Sequence, residues 1–265
     1  MKYLLLIFLA VQAQAQAKYQ GFAAWVQITN NAATTTITIT NAVPANSTVV
    51  TPPVFETSSA GMTLTSITDP RGNLWTVLTN NNWNTAHNFC AASAAVTTAY
   101  QVNDVITLNW TGAQSGVKFG PLIRIANSAN VVDTMVGAGT FSSNVTMTVT
   151  TAHNFDCIVG LITSDYVPTN AVPYGLVITN ATNFVNITNA AGGYVFNSTA
   201  GLFGALLETS ETTAGTYTLT GTWQSQGTNQ IKSWEGMAVA FCAFTNASAA
   251  VIGASTWGGA TIGGP

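Results

Sequence analysis

Charge is what this chain has least of: six Lys or Arg and nine Asp or Glu in 265 residues, for a net charge of -3. Six cations leave no electrostatic footprint for a phosphate backbone, so nucleic acid is excluded as a partner. The charged helix formers are scarce for the same reason, and no amphipathic helix of ordinary length can be drawn after the first residues. Long apolar runs are missing as well. The stretch from Leu4 to Val11 is too short to cross a bilayer as a helix, which argues against a stable transmembrane span.

Cysteine is sparse and odd in number. Cys90, Cys157 and Cys242 can form one disulfide at most, and which pair would form it is open. Each stands in an apolar stretch, where a thiol is usually buried and inert, and no Cys-x-x-Cys or Cys/His spacing suggests zinc. The chain has two histidines, His87 and His153, and neither lies near the Gly-x-Ser-x-Gly elbow of a serine hydrolase. Glycoside hydrolysis needs two carboxylates facing one cleft. Asp69, Asp104, Asp133, Asp156, Asp165, Glu56, Glu208, Glu211 and Glu235 fall mostly at turns, where capping and solvation account for them. The sequence therefore reads as non-enzymatic, with no cofactor.

In place of charge the chain carries 42 Thr and 24 Asn, so hydroxyls and amides must cover its solvated faces. Thr and Val favour strands, while Asn and Gly favour turns. Alternation is regular at many points. Ile37 and Ile39 interleave with Thr, as do Met62 and Leu64, then Ile106, Leu108 and Trp110, then Val145, Met147 and Val149, and later Tyr217, Leu219 and Trp223. This period of two marks half-buried strands. The continuous apolar run from Cys157 to Ile162 suits a strand covered on both sides, and Thr51-Pro52-Pro53, lacking two amide donors, must be a connection or an edge. About a dozen such strands joined by Gly, Asn and Pro turns predict an all-β, antiparallel, jelly-roll-like sandwich.

Four segments follow. Residues 1–17 have a basic start, a short apolar run and Ala15-Gln16-Ala17, the pattern of a secretory signal peptide cleaved before Lys18. Residues 18–33, with Tyr19, Phe22 and Trp25, form an aromatic arm that packs on the body or on a neighbouring subunit. Residues 34–244 form the sandwich, and 245–265 a Gly-rich C-terminal arm too poor in apolar bulk to fold alone. The pentapeptide Thr85-Ala86-His87-Asn88-Phe89 recurs as Thr151-Ala152-His153-Asn154-Phe155, an echo without a fixed period to support it.

The clearest turn is Thr68-Asp69-Pro70-Arg71-Gly72-Asn73-Leu74-Trp75. Asp69 can accept from amides ahead of it, Pro70 presets φ, and Gly72 can take a positive φ. Asp69, Pro70, Gly72, Asn73 and Trp75 are thus read as a structural corner. Asp69, Asn73 and Asp104 could offer oxygens to a hard cation if their loops meet, the weaker of the two readings. Trp83, Tyr166, Tyr174 and Trp257, aromatics placed in loops, are candidate stacking platforms for a sugar or anchors for an interface.

The segment Ser66 to Thr76 just quoted, together with Gln101-Val102-Asn103-Asp104-Val105-Ile106-Thr107-Leu108-Asn109-Trp110 and Thr213-Ala214-Gly215-Thr216-Tyr217-Thr218 leading to Ser233 to Phe241, resembles a family of β-sandwich domains (jelly-roll or immunoglobulin-like) of phage structural proteins and bacterial surface or secreted proteins. The resemblance spans about Thr34 to Phe244. It implies a non-catalytic module displayed on a virion or cell surface and carries no catalytic residues. The expected function is a virion structural or decoration protein that assembles with itself through its terminal arms. The alternatives are a secreted adhesin or carbohydrate-binding sandwich with a cell-surface glycan as partner, and a hydrolase with an unrecognised site.

Overall fold

The fold was obtained as a computed structural model, which describes residues 16–28, 33–51, 63–82, 88–111, 118–140, 144–165, 176–178, 185–186, 195–197, 202–210, 213–223 and 233–243. Among them there are seventeen strands, and helices are absent. The first half contributes β1 (Lys18–Ile28), β2 (Thr34–Thr38), β3 (Ser47–Val50), β4 (Leu64–Thr68), β5 (Trp75–Asn82), β6 (Asn88–Val96), β7 (Val105–Trp110) and β8 (Lys118–Ala126). The second half contributes β9 (Ser128–Thr140), β10 (Asn144–Thr151), β11 (Cys157–Asp165), β12 (Leu176–Ile178), β13 (Val185–Asn186), β14 (Val195–Asn197), β15 (Leu202–Ser210), β16 (Gly215–Trp223) and β17 (Ser233–Ala243). All ladders are antiparallel.

The strands sort by half. β1-β8-β3-β6-β5 form one sheet and β2-β7-β4 a second; β13-β15-β11-β17-β9, with β14 also on β15, form a third and β10-β16-β12 a fourth. Written from the other end, the third sheet runs β9-β17-β11-β15-β13, which matches β1-β8-β3-β6-β5 strand for strand, and β10-β16-β12 matches β2-β7-β4. One topology is therefore used twice, where the sequence suggests a single sandwich over 34–244. The pentapeptide echo does not mark the repeat: its first copy runs into β6 and its second follows β10, which are not equivalent strands.

Alternating side chains stack these sheets into layers. Ile37, Leu64, Ile106, Leu108 and Trp110 of the first outer sheet pack against Val49, Ala92, Ala94 and Leu122 of the inner one. The neighbours Val50, Ala91, Ile123 and Ile125 point the other way and meet Cys157, Val159, Met237, Val239 and Phe241 of the second half. β3 is therefore buried at all four of its positions. β11 is covered twice as well, since a Cβ placed on Gly160 would stand 3.5 Å from Met147 of β10. Each fully buried Ile, Leu or Phe in these layers contributes about 1.5–3 kcal/mol.

The outer faces carry hydroxyl pairs. Thr148 meets Thr218 at 3.1 Å and Thr150 meets Thr216 at 3.1 Å across β10 and β16, while Thr63 meets Thr111 at 3.3 Å at the first outer sheet. These cross-strand pairs replace the ion pairs that a charge-poor chain cannot make.

Three segments read from the sequence can be placed. Of the segment 18–33, Lys18–Ile28 is packed on the body, with β1 paired to β8 along its length. Asn80, Asn81 and Asn82, a polar run ahead of Trp83, continue β5 opposite Cys90, Phe89 and Asn88. Ala17, at the expected cleavage point, is buried in the core shared by the two halves, and its amide donates to Phe155 O at 3.0 Å. Cleavage before Lys18 would remove that contact. Residues 1–15 and all of 245–265 lie outside the described residues.

Candidate functional site

The Asp69 corner carries the chain from β4 in the outer sheet to β5 in the inner one, so it is a crossover and not a hairpin. Gly72 N donates to Asp69 O at 3.4 Å, and Gly72 sits at φ 72°. Asp69 Oδ1 accepts from Arg71 N at 2.7 Å, the local side-chain turn its position predicts. Asp69 Oδ2 accepts from Trp75 Nε1 at 2.8 Å and also from the Tyr100 hydroxyl. Burial and then the Asp69 carboxylate push the Tyr100 hydroxyl above its ordinary range, so it remains a donor.

Asn73 is buried, and its Oδ1 accepts from Thr97 N at 2.9 Å and Thr98 N at 2.9 Å, while its Nδ2 donates to Thr98 O at 3.1 Å. Arg71 reaches Asp104 with Nε at 2.6 Å and Nη2 at 2.9 Å, a two-pronged contact that holds the Asp104 carboxyl below its ordinary range. The loops of Asp69, Asn73 and Asp104 do meet, but their oxygens are already spent on these donors and Arg71 supplies the positive charge. These residues form a clasp: Arg71 bridges Asp69 and Asp104, and Asn73 ties the corner to Thr97 and Thr98.

A second cluster lies in the other half. Asp133, His153, Asp156 and Cys242 each offer one ligand atom, all within 4.8 Å of one another. Asp133 comes from β9, where Val132 pairs with Phe241 and Thr134 with Ala240; the ladder skips Asp133, a β-bulge. His153 and Asp156 come from the turn between β10 and β11, in which Phe155 takes φ 66°, an uncommon conformation for a bulky residue. Cys242 lies near the end of β17, beside a second break in the same ladder.

Asp133 Oδ2 accepts from Ala152 N at 2.5 Å, and Asp133 Oδ1 lies 2.7 Å from His153 Nδ1. Cys242 Sγ approaches that same nitrogen at 3.6 Å. The His153 side chain is about half exposed, at 47%, whereas that of Asp133 is 4% exposed. Asp156 is fully buried beside the Asp133 carboxylate and the Ala243 amide, and no hydrogen bond of good geometry reaches either of its oxygens. Burial first, then the adjoining Asp133 carboxylate, pushes the Asp156 carboxyl up to about 8. Burial opposes charge on Asp133 as well, yet the Ala152 amide, Asp156 and His153 together hold it below the ordinary range. The two acids thus share one negative charge.

No family model, curated protein or solved structure matches the chain.

The cluster is not built as a nucleophilic triad. A triad places the acid on one imidazole nitrogen and the nucleophile on the other. Here Asp133 and Cys242 face the same Nδ1, which cannot donate to one and accept from the other at once. Burial and the two carboxylates also push the Cys242 thiol up to about 12, the opposite of the activation a cysteine nucleophile requires.

Sequence reasoning missed this cluster because its ligands come from three elements as far apart as Asp133 and Cys242. The apolar neighbours of Cys242 in sequence pointed to an inert core thiol, and the carboxylates beside it come from elsewhere in the chain. All three cysteines are buried, as expected, and none is in a disulfide. Trp83, Tyr166, Tyr174, Trp257 and His87 lie outside the described residues.

Proposed function

We propose that this protein is a non-enzymatic, surface-displayed structural or decoration protein of a virion, assembling with copies of itself through its terminal segments. The observation that carries this reading is the character of the outer sheets. Paired threonines cover them, with Asn144 Oδ1 accepting from Thr222 at 3.1 Å and Asn109 Nδ2 donating to Ser66 Oγ at 3.1 Å. A hydroxyl surface of near-zero charge is compatible with close packing beside identical neighbours, where a strongly charged face would repel its own copies. The polar side chains of the Asp69 clasp are consumed in holding the fold, which leaves that corner no groups for a reaction.

Antibody raised against the full chain should label the exterior of intact virions from the source, and the purified chain should sediment as an oligomer. Labelling confined to a bacterial envelope, with glycan-array binding by a monodisperse monomer, would replace this reading with the adhesin one.

A further inference from the structure

We propose that Asp133, His153, Asp156 and Cys242 form a binding site for a divalent transition-metal cation, zinc before others. The donor set is one thiolate sulfur, one imidazole nitrogen and two carboxylate oxygens, the mixture that tetrahedral zinc accepts and that hard cations such as calcium do not. All four ligand atoms lie within 4.8 Å of one another. Zinc bonds of about 2.3 Å to sulfur and 2.0–2.1 Å to nitrogen, opened to a tetrahedral angle, hold those two atoms about 3.6 Å apart. Cys242 Sγ and His153 Nδ1 already stand 3.6 Å apart. Asp133 Oδ1, at 2.7 Å from the same nitrogen, must retreat by about 0.6–0.8 Å as its hydrogen bond gives way to a metal bond.

The independent observation is Asp156. It is buried completely, no hydrogen bond of good geometry reaches either of its oxygens, and the group it faces is a second carboxylate, Asp133, with the Ala243 amide beside it. Two acids set against each other in an interior cost stability unless they share a proton or a cation lies between them.

The repeated topology supplies a comparison inside the molecule. In the first half Leu122 pairs with Ala24 and Ile123 with Phe22, skipping Ala23; in the second Ala240 pairs with Thr134 and Phe241 with Val132, skipping Asp133. Ala23 therefore corresponds to Asp133, and Arg124, the residue after Ile123, corresponds to Cys242. The Arg124 guanidinium fills its place, donating to Ala42 O at 2.9 Å and Gln20 O at 2.5 Å. A cation built into the chain occupies the first half; the second half gathers acids, an imidazole and a thiol around the corresponding place.

Binding is balanced by proton release. The Cys242 thiol gives its proton to solvent to become the thiolate, the Asp156 carboxyl gives up its proton where it carries one, and His153 binds through the Nδ1 lone pair with its proton on Nε2. Four protein ligands leave no open position, so the ion ties β9, the β10–β11 turn and β17 together and is structural.

The test uses the full chain, purified in chelator and titrated with Zn2+ and, for spectroscopy, Co2+. Stoichiometric 1:1 binding is expected, with a thiolate-to-cobalt charge-transfer absorption and the intense visible bands of tetrahedral Co2+. Cys242→Ser should abolish the charge-transfer band, whereas Cys90→Ser and Cys157→Ser should leave it intact. Asp156→Asn and His153→Ala should each weaken Zn2+ binding about tenfold or more, since a lost ligand costs at least as much as a lost outer partner. His153 is half exposed, so its variant keeps the test valid if a core variant fails to fold. Absence of 1:1 binding, or a cobalt spectrum unchanged in both Cys242→Ser and His153→Ala, would overturn the site.

Discussion

The two halves of this molecule share a strand order and differ in how they treat polar groups buried at their ends. In the first half, every acid at the Asp69 corner meets a donor: Arg71 N, Trp75 Nε1 and Tyr100 on Asp69, and Arg71 and Gln101 N on Asp104. In the second, Asp156 is buried against another acid, Asp133, and no hydrogen bond of good geometry reaches its oxygens. The same strand order thus supports an acid tied to donors in one half and an acid set beside an acid in the other. The side chains at the strand ends, and not the topology, set the difference.

The largest expected effect is at the clasp. Asp69→Ala strips partners from Arg71 N, Trp75 and Tyr100 together and should lower unfolding stability by about 3 kcal/mol, measured by urea denaturation. A loss below about 1 kcal/mol would mean that this corner is not what holds the first half.

Next comes zinc. At a hundredfold excess over its dissociation constant the ion should stabilise the wild-type chain by about 2.7 kcal/mol, seen as a raised melting temperature, and should do far less for Asp156→Asn. In chelator the order reverses: Asp156→Asn should be neutral or stabilising by about 1 kcal/mol, because it replaces one of two adjoining buried acids with a neutral amide. A marked destabilisation in chelator would erase the contrast with Asp69.

Gly72→Val should cost about 1–2 kcal/mol, from the left-handed φ alone, since a new Cβ there meets nothing within 4 Å. Zinc affinity should be unchanged in this variant.

The smallest effect is a pH dependence. Arg71 holds the folded Asp104 pKa below the ordinary 3.8, so acidification protonates this acid in the unfolded chain first. Its contribution is present above that ordinary value and is lost as pH falls through the folded one. Asp104→Asn should therefore flatten the acid limb of a stability–pH curve slightly, as befits an ion pair only partly removed from solvent.

Much of the fold was legible where alternation is strict. Ile106, Leu108 and Trp110 of β7 and Val145, Met147 and Val149 of β10 are buried while their neighbours are not, because each strand has one wet face. β1, β3 and β9 escaped detection. β3 is covered on both sides and so has no alternation to read, and β9 mixes glycines with polar residues around its bulge. The Asp69 corner could be read because its chemistry is local. The Asp133 to Cys242 cluster could not, because it is made by the return of β17 alongside β9, a pairing that nothing in either segment announces.

The sheet shared between the two cores has a consequence for synthesis. The first half is complete once Ala126 has been made, yet the face carrying Val50, Ala91, Ile123 and Ile125 has no cover until β11 and β17 arrive. For the time it takes to translate the last strands, a finished sheet shows bare aliphatic side chains to the cell. A chain stopped before β17 is therefore expected to aggregate through that face.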